Sequence, residues 1–195
     1  MSTNIIAIHG AFSTPNIFNY IKRELPQVDW YFVDYSNITS NINKLISQIL
    51  VDYEKTKKRY HVVGHSMGGL VALSLASQPW IQSITTVATP LGGLEINILQ
   101  NYLSRSSFLG EISTYSDLLK TIHEKEYNIP VQHIISTQGF NPYIWEPNDG
   151  VVTLRSQRGW NAGDKGVSHD VAANHAEIMM MPDTVKLLAD FWSIN

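Results

Sequence analysis

Cysteine is absent from the 195 residues of this sequence, which excludes disulfide bonds and thiolate metal sites. The chain also lacks an apolar run near the roughly 20 residues that a membrane-spanning helix needs. Positive and negative residues are mixed along the chain, with no basic run of the kind that would neutralise phosphates, so nucleic acid is not an expected partner. What remains is a chain of ordinary composition with a net charge of −3, long enough for a single domain, residues 1–195, with a sizeable core.

The N-terminal residues carry no basic segment and lead directly into an apolar stretch, so the sequence predicts no cleaved signal peptide. We therefore expect a cytoplasmic protein without stable membrane insertion. A secreted protein that is seen in its mature form would have the same N-terminal pattern, and that alternative stays open.

Short apolar runs alternate with helical patterns along the chain. The apolar runs predict strands at residues 4–9, 28–33, 60–63, 81–87, 131–137 and, more weakly, 166–171. The helical patterns lie at residues 14–25, 41–58, 67–76 and 182–192, with two more between 94 and 127. This alternation predicts an α/β fold, a mostly parallel sheet with helices on both faces, whose ligands bind beyond the carboxyl ends of the strands.

Ser66 lies at the junction of a predicted strand and a predicted helix, within the segment Gly64–Gly68, which fits the pattern G-x-S-x-G. In a nucleophile elbow a sharp strand-to-helix turn holds a serine hydroxyl in the open, and the glycines permit a close backbone approach. The matching context makes Ser66 a candidate nucleophile. If the side chain of Ser66 points into the site, that of its neighbour His65 should point away.

A serine nucleophile needs a base to take its proton and an acid to orient that base, and in this type of fold they follow in the order serine, acid, histidine. Asp149 is the favoured acid over Asp164 and Asp170, because its turn follows a predicted strand, although Asn-Asp-Gly is also a common turn sequence. His175 is the favoured base, because it lies in a loop before the last helix, whereas His169 falls in a strand-like segment.

The oxyanion of an acyl-transfer reaction needs backbone donors that already face the developing charge. One predicted donor is the amide of Met67, directly after the nucleophile and at the start of its helix. The second should come from the loop after the first strand, where Gly10 lets the backbone turn its amides inward. Ala11 is the favoured donor in this loop and Phe12 is the second choice.

Five short motifs follow one another along the chain: His9–Ala11, Gly64–Gly69, Ala88–Pro90 with Gly92–Gly93, Asn148–Val152, and Asn174–His175. By these motifs the sequence resembles the α/β-hydrolase superfamily and, within it, the small bacterial triacylglycerol lipases and esterases. The resemblance implies a three-layer α/β-hydrolase fold with a minimal cap or none; a small helical cap or lid would fall at about residues 92–128. It also implies a triad of Ser66, Asp149 and His175, with Ala11 and Met67 as the oxyanion donors.

The resemblance implies that no cofactor is needed. Some of those lipases hold a structural calcium between two acidic residues near the catalytic histidine. Here Glu177 lies near His175, but the sequence offers no convincing second ligand, so no metal is predicted.

The implied reaction is hydrolysis of a carboxylic ester, in a small molecule or a lipid, through an acyl-enzyme. A thioesterase, an amidase, an acyltransferase or a non-catalytic binding protein of this fold could carry the same motifs. Predicted substrate contacts are Phe12, Leu91, Leu94 and Trp145, apolar residues on loops or helices that could border the site. The alternative for most of these residues is a packing role in the core.

Overall fold

The computed structural model describes residues 3–36, 42–94, 116–159 and 165–194. Their strands are β1 (Asn4–Ile8), β2 (Asp29–Val33), β3 (Tyr60–His65), β4 (Ile81–Val87), β5 (Val131–Ser136) and β6 (Val167–Val171). Their α-helices are α1 (Asn19–Glu24), α2 (Ile42–Glu54), α3 (Met67–Ser74), α4 (Asp117–Glu124), α5 (Leu154–Gln157) and α6 (Pro182–Phe191). Two 3-10 turns, Pro15–Phe18 and Glu177–Met180, precede α1 and α6.

The six strands of the described residues form one sheet in the order β2-β1-β3-β4-β5-β6, and every neighbouring pair is parallel. The register places Ile8 beside Gly64, and His65 beside Val87. The carboxyl ends of the strands therefore meet at one edge of the sheet. The prediction of an α/β fold with a mostly parallel sheet is confirmed.

Successive side chains of β1 enter opposite cores, as expected for a strand that is buried on both faces. Ile6 and Ile8 pack with the buried residues of α2, α3 and α4, whereas Ile5 and Ala7 pack with those of α1 and α6. Burying one such aliphatic side chain contributes about 1.5–3 kcal/mol. The helices thus form the outer layers of a three-layer α/β-hydrolase fold, as the resemblance implied.

The sequence predicted a helix that reaches residue 58, but α2 ends at Glu54. After this point the Thr56 amide donates to the carbonyl of Tyr53 at 3.1 Å, and Lys57 adopts a left-handed φ of 57°. A left-handed residue ends the helical hydrogen-bond pattern and turns the chain into β3.

The predicted helical cap at about residues 92–128 lies largely outside the described residues. Its described part includes α4, which begins at the Ser116 cap, where the hydroxyl accepts from the Leu119 amide at 3.3 Å. Leu119 and Ile122 are buried in the same core as α3. In the parts of the chain that are described, no helix combines the length and the apolar character that crossing a bilayer would require.

Candidate active site

The turn between β3 and α3 has the geometry of a nucleophile elbow. Ser66 adopts φ 54° and ψ −126°, a conformation that costs a non-glycine residue about 1–3 kcal/mol. A Cβ on Gly64 would lie 2.2 Å from the carbonyl oxygen of Gly68, and a Cβ on Gly68 would lie 2.2 Å from that of Ile8. Both positions therefore require glycine, and the close approach at Gly68 brings the elbow against the end of β1.

Asp149 and His175 are brought together at the carboxyl edge of the sheet. Asp149 Oδ2 lies 2.7 Å from His175 Nδ1, and the His175 amide donates to the Asp149 carbonyl at 2.9 Å. The other carboxylate oxygen, Oδ1, accepts from the amides of Val151 and Val152 at 2.9 and 2.7 Å. The side chain of Asp149 is thus held by its own turn, with Oδ2 facing the imidazole of His175.

Two polar side chains that sequence reasoning missed also hold Asp149. Ser136, the last residue of β5, donates its hydroxyl to Asp149 Oδ2, and Gln157 Nε2 donates to the same oxygen at 3.0 Å. Gln157 belongs to the four-residue helix α5, which the hydrophobic periodicity did not predict. No local pattern marks either residue, because both contacts arise only when β5 and α5 meet the turn at Asp149.

The electrostatic state of Asp149 follows from these partners. Burial alone would raise the pKa of its carboxyl, but the hydrogen bond and charge of His175 act against burial, as do the bonds from Ser136 and Val152. The net effect holds the pKa of Asp149 below its ordinary value. A carboxylate held ionised in this way can orient and stabilise an imidazolium.

His65 lies beside His175, the predicted base, so the expectation that its side chain points away from the predicted site was wrong. Its ring centroid is 4.9 Å from that of His175, and its Nε2 donates to the His175 carbonyl at 2.8 Å. The positive φ of Ser66 ends the extended backbone of β3, so the side chains of His65 and Ser66 need not point in opposite directions. Burial, followed by the nearby charge of His175, lowers the pKa of His65 to about 3, so it is a neutral donor.

His65 directly precedes Ser66 and contacts His175, so it joins the Ser66 turn to the loop of the predicted base. Among the hydrogen bonds of the described residues there is none between Ser66 Oγ and His175. In ligand-free enzymes, hydrogen bonds between catalytic groups are often long until substrate binds. The nucleophilic role of Ser66 stays a prediction at this point.

The loop that carries His175 is ordered by a reciprocal cap. Asn174 Oδ1 accepts from the amides of Ala176 and Glu177 at 3.1 and 2.9 Å, and the Glu177 carboxylate faces the Asn174 amide at 3.4 Å. Glu177 thus serves the backbone before α6, in the manner of a capping box. Within the described ranges, no cluster of three or more His, Cys, Asp or Glu side chains could hold a metal ion.

The competing residues are placed elsewhere. His169 lies in the middle of β6, in register with Ile134 of β5. Asp170 forms a surface ion pair with Arg158 at 2.5 Å. Asp164 lies outside the described residues.

The loop after β1 lies against the elbow, as an oxyanion loop should. A Cβ on Gly10 would be 3.0 Å from Ser66 Cβ, so the backbone passes close to the serine. Phe12 adopts a left-handed φ of 56° in this loop. The Ala11, Phe12 and Met67 amides remain the predicted donors, and that of Met67 is one of the first N–H groups of α3, which have no partner within the helix.

His9 fixes the peptide unit that contains the Ala11 amide. Its Nδ1 lies 2.8 Å from the Gly10 carbonyl, and its Nε2 accepts from the Tyr35 amide at 3.2 Å. The Tyr35 ring stacks on it at 3.9 Å, and the phenol donates to the His9 carbonyl. Because the C=O and N–H of a peptide unit point in opposite directions, a fixed Gly10 carbonyl also fixes the direction of the Ala11 N–H.

The four predicted substrate contacts divide into two pairs. Phe12 is 68% exposed and Trp145 is 98% exposed, so both can meet a ligand from solvent. Leu91 and Leu94 are 2% and 9% exposed and belong to the core that packs on α3. Their burial favours the packing role that the sequence left open.

Buried histidines make the stability of the fold sensitive to acid. Burial lowers the pKa of His65 to about 3 and that of His133 to about 4, from 6.5. Because the unfolded chain binds more protons below pH 6.5, stability falls as the pH falls towards these folded values. We expect these two rings to contribute a loss of roughly 2–3 kcal/mol to the unfolding free energy between pH 7 and pH 5.5, measured by urea denaturation. A flat or rising stability over that range would contradict the neutral, buried state of both rings.

Solved structures share this fold at low sequence identity. The mature lipase BlEst2 of Bacillus licheniformis superposes with a TM-score of 0.75 and 15% identity, covering 98% of this chain and 92% of that one. The pyrethroid hydrolase PytH superposes with a TM-score of 0.68 and 14% identity, covering 99% of this chain and 98% of that one. A bacterial membrane phospholipase A superposes with a TM-score of 0.66 and 14% identity, covering 98% of this chain and 79% of that one. At these identities the similarity shows the fold.

A comparison with curated proteins found no significant match. A family model described as the PGAP1-like alpha/beta domain matches residues 34–137, which is more than half of the chain. The matched segment includes the elbow at Ser66 and ends before Asp149 and His175. The chain therefore belongs to the PGAP1-like alpha/beta domain family.

Proposed function

We propose that this protein is a serine hydrolase that cleaves carboxylic esters with Ser66 as nucleophile, His175 as base and Asp149 as acid. The observation that carries the proposal is the 2.7 Å contact between Asp149 Oδ2 and His175 Nδ1, at the sheet edge where the strained Ser66 turn lies. The similar structures named as a lipase, a pyrethroid hydrolase and a phospholipase support hydrolase chemistry in general.

In the acylation step, His175 Nε2 takes the proton of Ser66 Oγ while this oxygen attacks the ester carbonyl. Asp149 holds the Nδ1–H side of the ring and stabilises the imidazolium that forms. The tetrahedral oxyanion accepts hydrogen bonds from the Met67 and Ala11 amides. His175 then returns the proton to the leaving alkoxide, so that the alcohol departs and an acyl-serine remains.

In the deacylation step, water takes the place of the alcohol. His175 removes one proton from the water as its oxygen attacks the acyl carbonyl, and the same oxyanion donors receive the negative charge. Collapse of this intermediate releases the carboxylic acid and returns the proton to Ser66. The cycle needs only side chains and amides of this chain and water.

Labelling with a fluorophosphonate tests the proposal directly, because this reagent phosphonylates an activated serine. We expect one label on wild type, mapped by mass spectrometry to the peptide that contains Ser66, and none on Ser66→Ala. Ser74→Ala is a matched control, because that hydroxyl only donates to the Leu70 carbonyl within α3. Wild type that stays unlabelled, or equal labelling of Ser66→Ala, would refute the serine-hydrolase function.

Rates with p-nitrophenyl esters, acyl-thioesters and anilides separate the reaction classes. We propose that esters give the highest kcat/KM. The highest kcat/KM for a thioester or an anilide would assign the same triad to a thioesterase or an amidase.

A further inference from the structure

Asp149 Oδ2 receives more hydrogen-bond donors than orientation of His175 requires. Three donors converge on this oxygen: His175 Nδ1, Gln157 Nε2 at 3.0 Å, and the Ser136 hydroxyl. The opposite oxygen already accepts two backbone amides. Each donor takes up part of the charge with which the carboxylate stabilises a protonated His175.

The amide orientation of Gln157 is determined by its surroundings. Gln157 Oε1 accepts from the Ser136 amide at 2.9 Å, so the oxygen must face β5. Gln157 Nε2 then donates to the Ser136 carbonyl at 3.1 Å and to Asp149 Oδ2. A flipped amide would place two donors against each other at Ser136. Gln157 is 2% exposed and Ser136 is fully buried. Their surroundings therefore hold both side chains as donors to Asp149 Oδ2.

We propose that Gln157 and Ser136 are positioning residues that share Asp149 Oδ2 with His175 and thereby set the pH range in which His175 is a neutral base. The inference rests on the proposed function. By dispersing the charge of Asp149, the two donors weaken its attraction for an imidazolium. The base then loses its proton at lower pH than it would opposite a carboxylate without these donors.

Among the described residues, few charged and titratable groups lie around this cluster. His175 faces Asp149 directly, and His65 interacts electrostatically with both. Arg158, which follows Gln157, is paired with Asp170 at the surface. The groups that β5 and α5 present to Asp149 are the neutral Ser136 and Gln157. Removing either donor therefore changes hydrogen bonding at Oδ2 without removing a charge.

The test compares full-length wild type with Gln157→Leu and Ser136→Ala. Removing one donor should move the acid limb of the pH profile of Ser66 labelling by a fluorophosphonate to higher pH by about 0.5–1 unit. Histidine-ring NMR should show the same upward shift in the titration of the Asp149–His175 pair, without any need for turnover. Ser136→Ala leaves no buried donor unpaired, so it keeps the test valid if Gln157→Leu fails to fold.

Gln132→Leu is the matched control. Gln132 is also a 2%-exposed glutamine, and it precedes Ser136 by four residues in β5. Its Oε1 accepts from the Thr85 hydroxyl at 3.2 Å, and its Nε2 donates to the Leu187 carbonyl at 3.3 Å. Its replacement should lower stability, as Gln157→Leu does, and leave both pH midpoints at their wild-type values.

Midpoints of Gln157→Leu and Ser136→Ala that coincide with wild type, or that move to lower pH, would overturn the inference. The failure of the proposed function has a different signature, because wild-type Ser66 would then remain unlabelled at every pH. The NMR titration reports the coupling at Asp149 in either case.

Discussion

His175→Ala is expected to lower kcat for ester hydrolysis by about a million-fold, to the residual rate that the oxyanion loop and binding supply. Without the imidazole the predicted base is lost, and the neighbouring His65 is a poor substitute, because burial lowers its pKa to about 3. The backbone contacts of residue 175 to Asp149 and His65 survive the substitution. The variant should therefore fold, and the loss should appear in kcat with p-nitrophenyl butyrate.

His169→Ala is the matched control for the base. His169 also follows the predicted acid in the chain, but it lies within β6, in register with Ile134. We expect its removal to leave kcat within a few-fold of wild type. A collapse of activity in His169→Ala, with an active His175→Ala, would move the base to His169.

Asp149→Asn should lower kcat by about ten-thousand-fold at neutral pH. The amide can keep its oxygen towards the Val151 and Val152 N–H groups, which places its NH2 where Oδ2 accepted three donors. This donor conflict favours the His175 tautomer that carries its proton on Nε2, and such a ring cannot deprotonate Ser66. The pH dependence of kcat and a thermal melt would separate this tautomer effect from loss of folding.

Asp170→Asn provides the control for the acid. Asp170 is partly exposed and pairs with Arg158, so removing its charge should cost at most about 1 kcal/mol of stability and little activity. Equal activities of the two asparagine variants would contradict the role of Asp149.

Much of this site could be predicted from the sequence, because the turns at Ser66 and Asp149 depend on backbone contacts within a few residues. The elbow needs glycines at fixed positions around Ser66, where a Cβ would meet backbone at 2.2 Å. The predicted acid, Asp149, lies in a turn in which the amides of Val151 and Val152 bind its carboxylate, within three residues of it. Such short-range requirements leave patterns that can be recognised in a sequence.

The supporting contacts could not be predicted in this way. The hydrogen bond from His65 to His175 joins residues 110 positions apart, and those between Ser136 and Gln157 join residues 21 apart. Glutamine, serine and a strand-terminal histidine are common in many settings, so their identity alone indicates no role. Similarly, the burial of Leu91 depends on how its loop packs against α3, which an apolar residue type does not reveal.

The sequence by itself determined the order of the six described strands, the glycine turn around Ser66 and the candidates for nucleophile, acid and base. It could do so because hydrophobic periodicity and glycine placement act over a few residues. Only the tertiary structure decided that β5, α5 and the loop with His175 surround one oxygen of the Asp149 carboxylate with three donors. Those donors lie far apart in the sequence. They meet because the parallel sheet brings the segments that follow its strands to one edge.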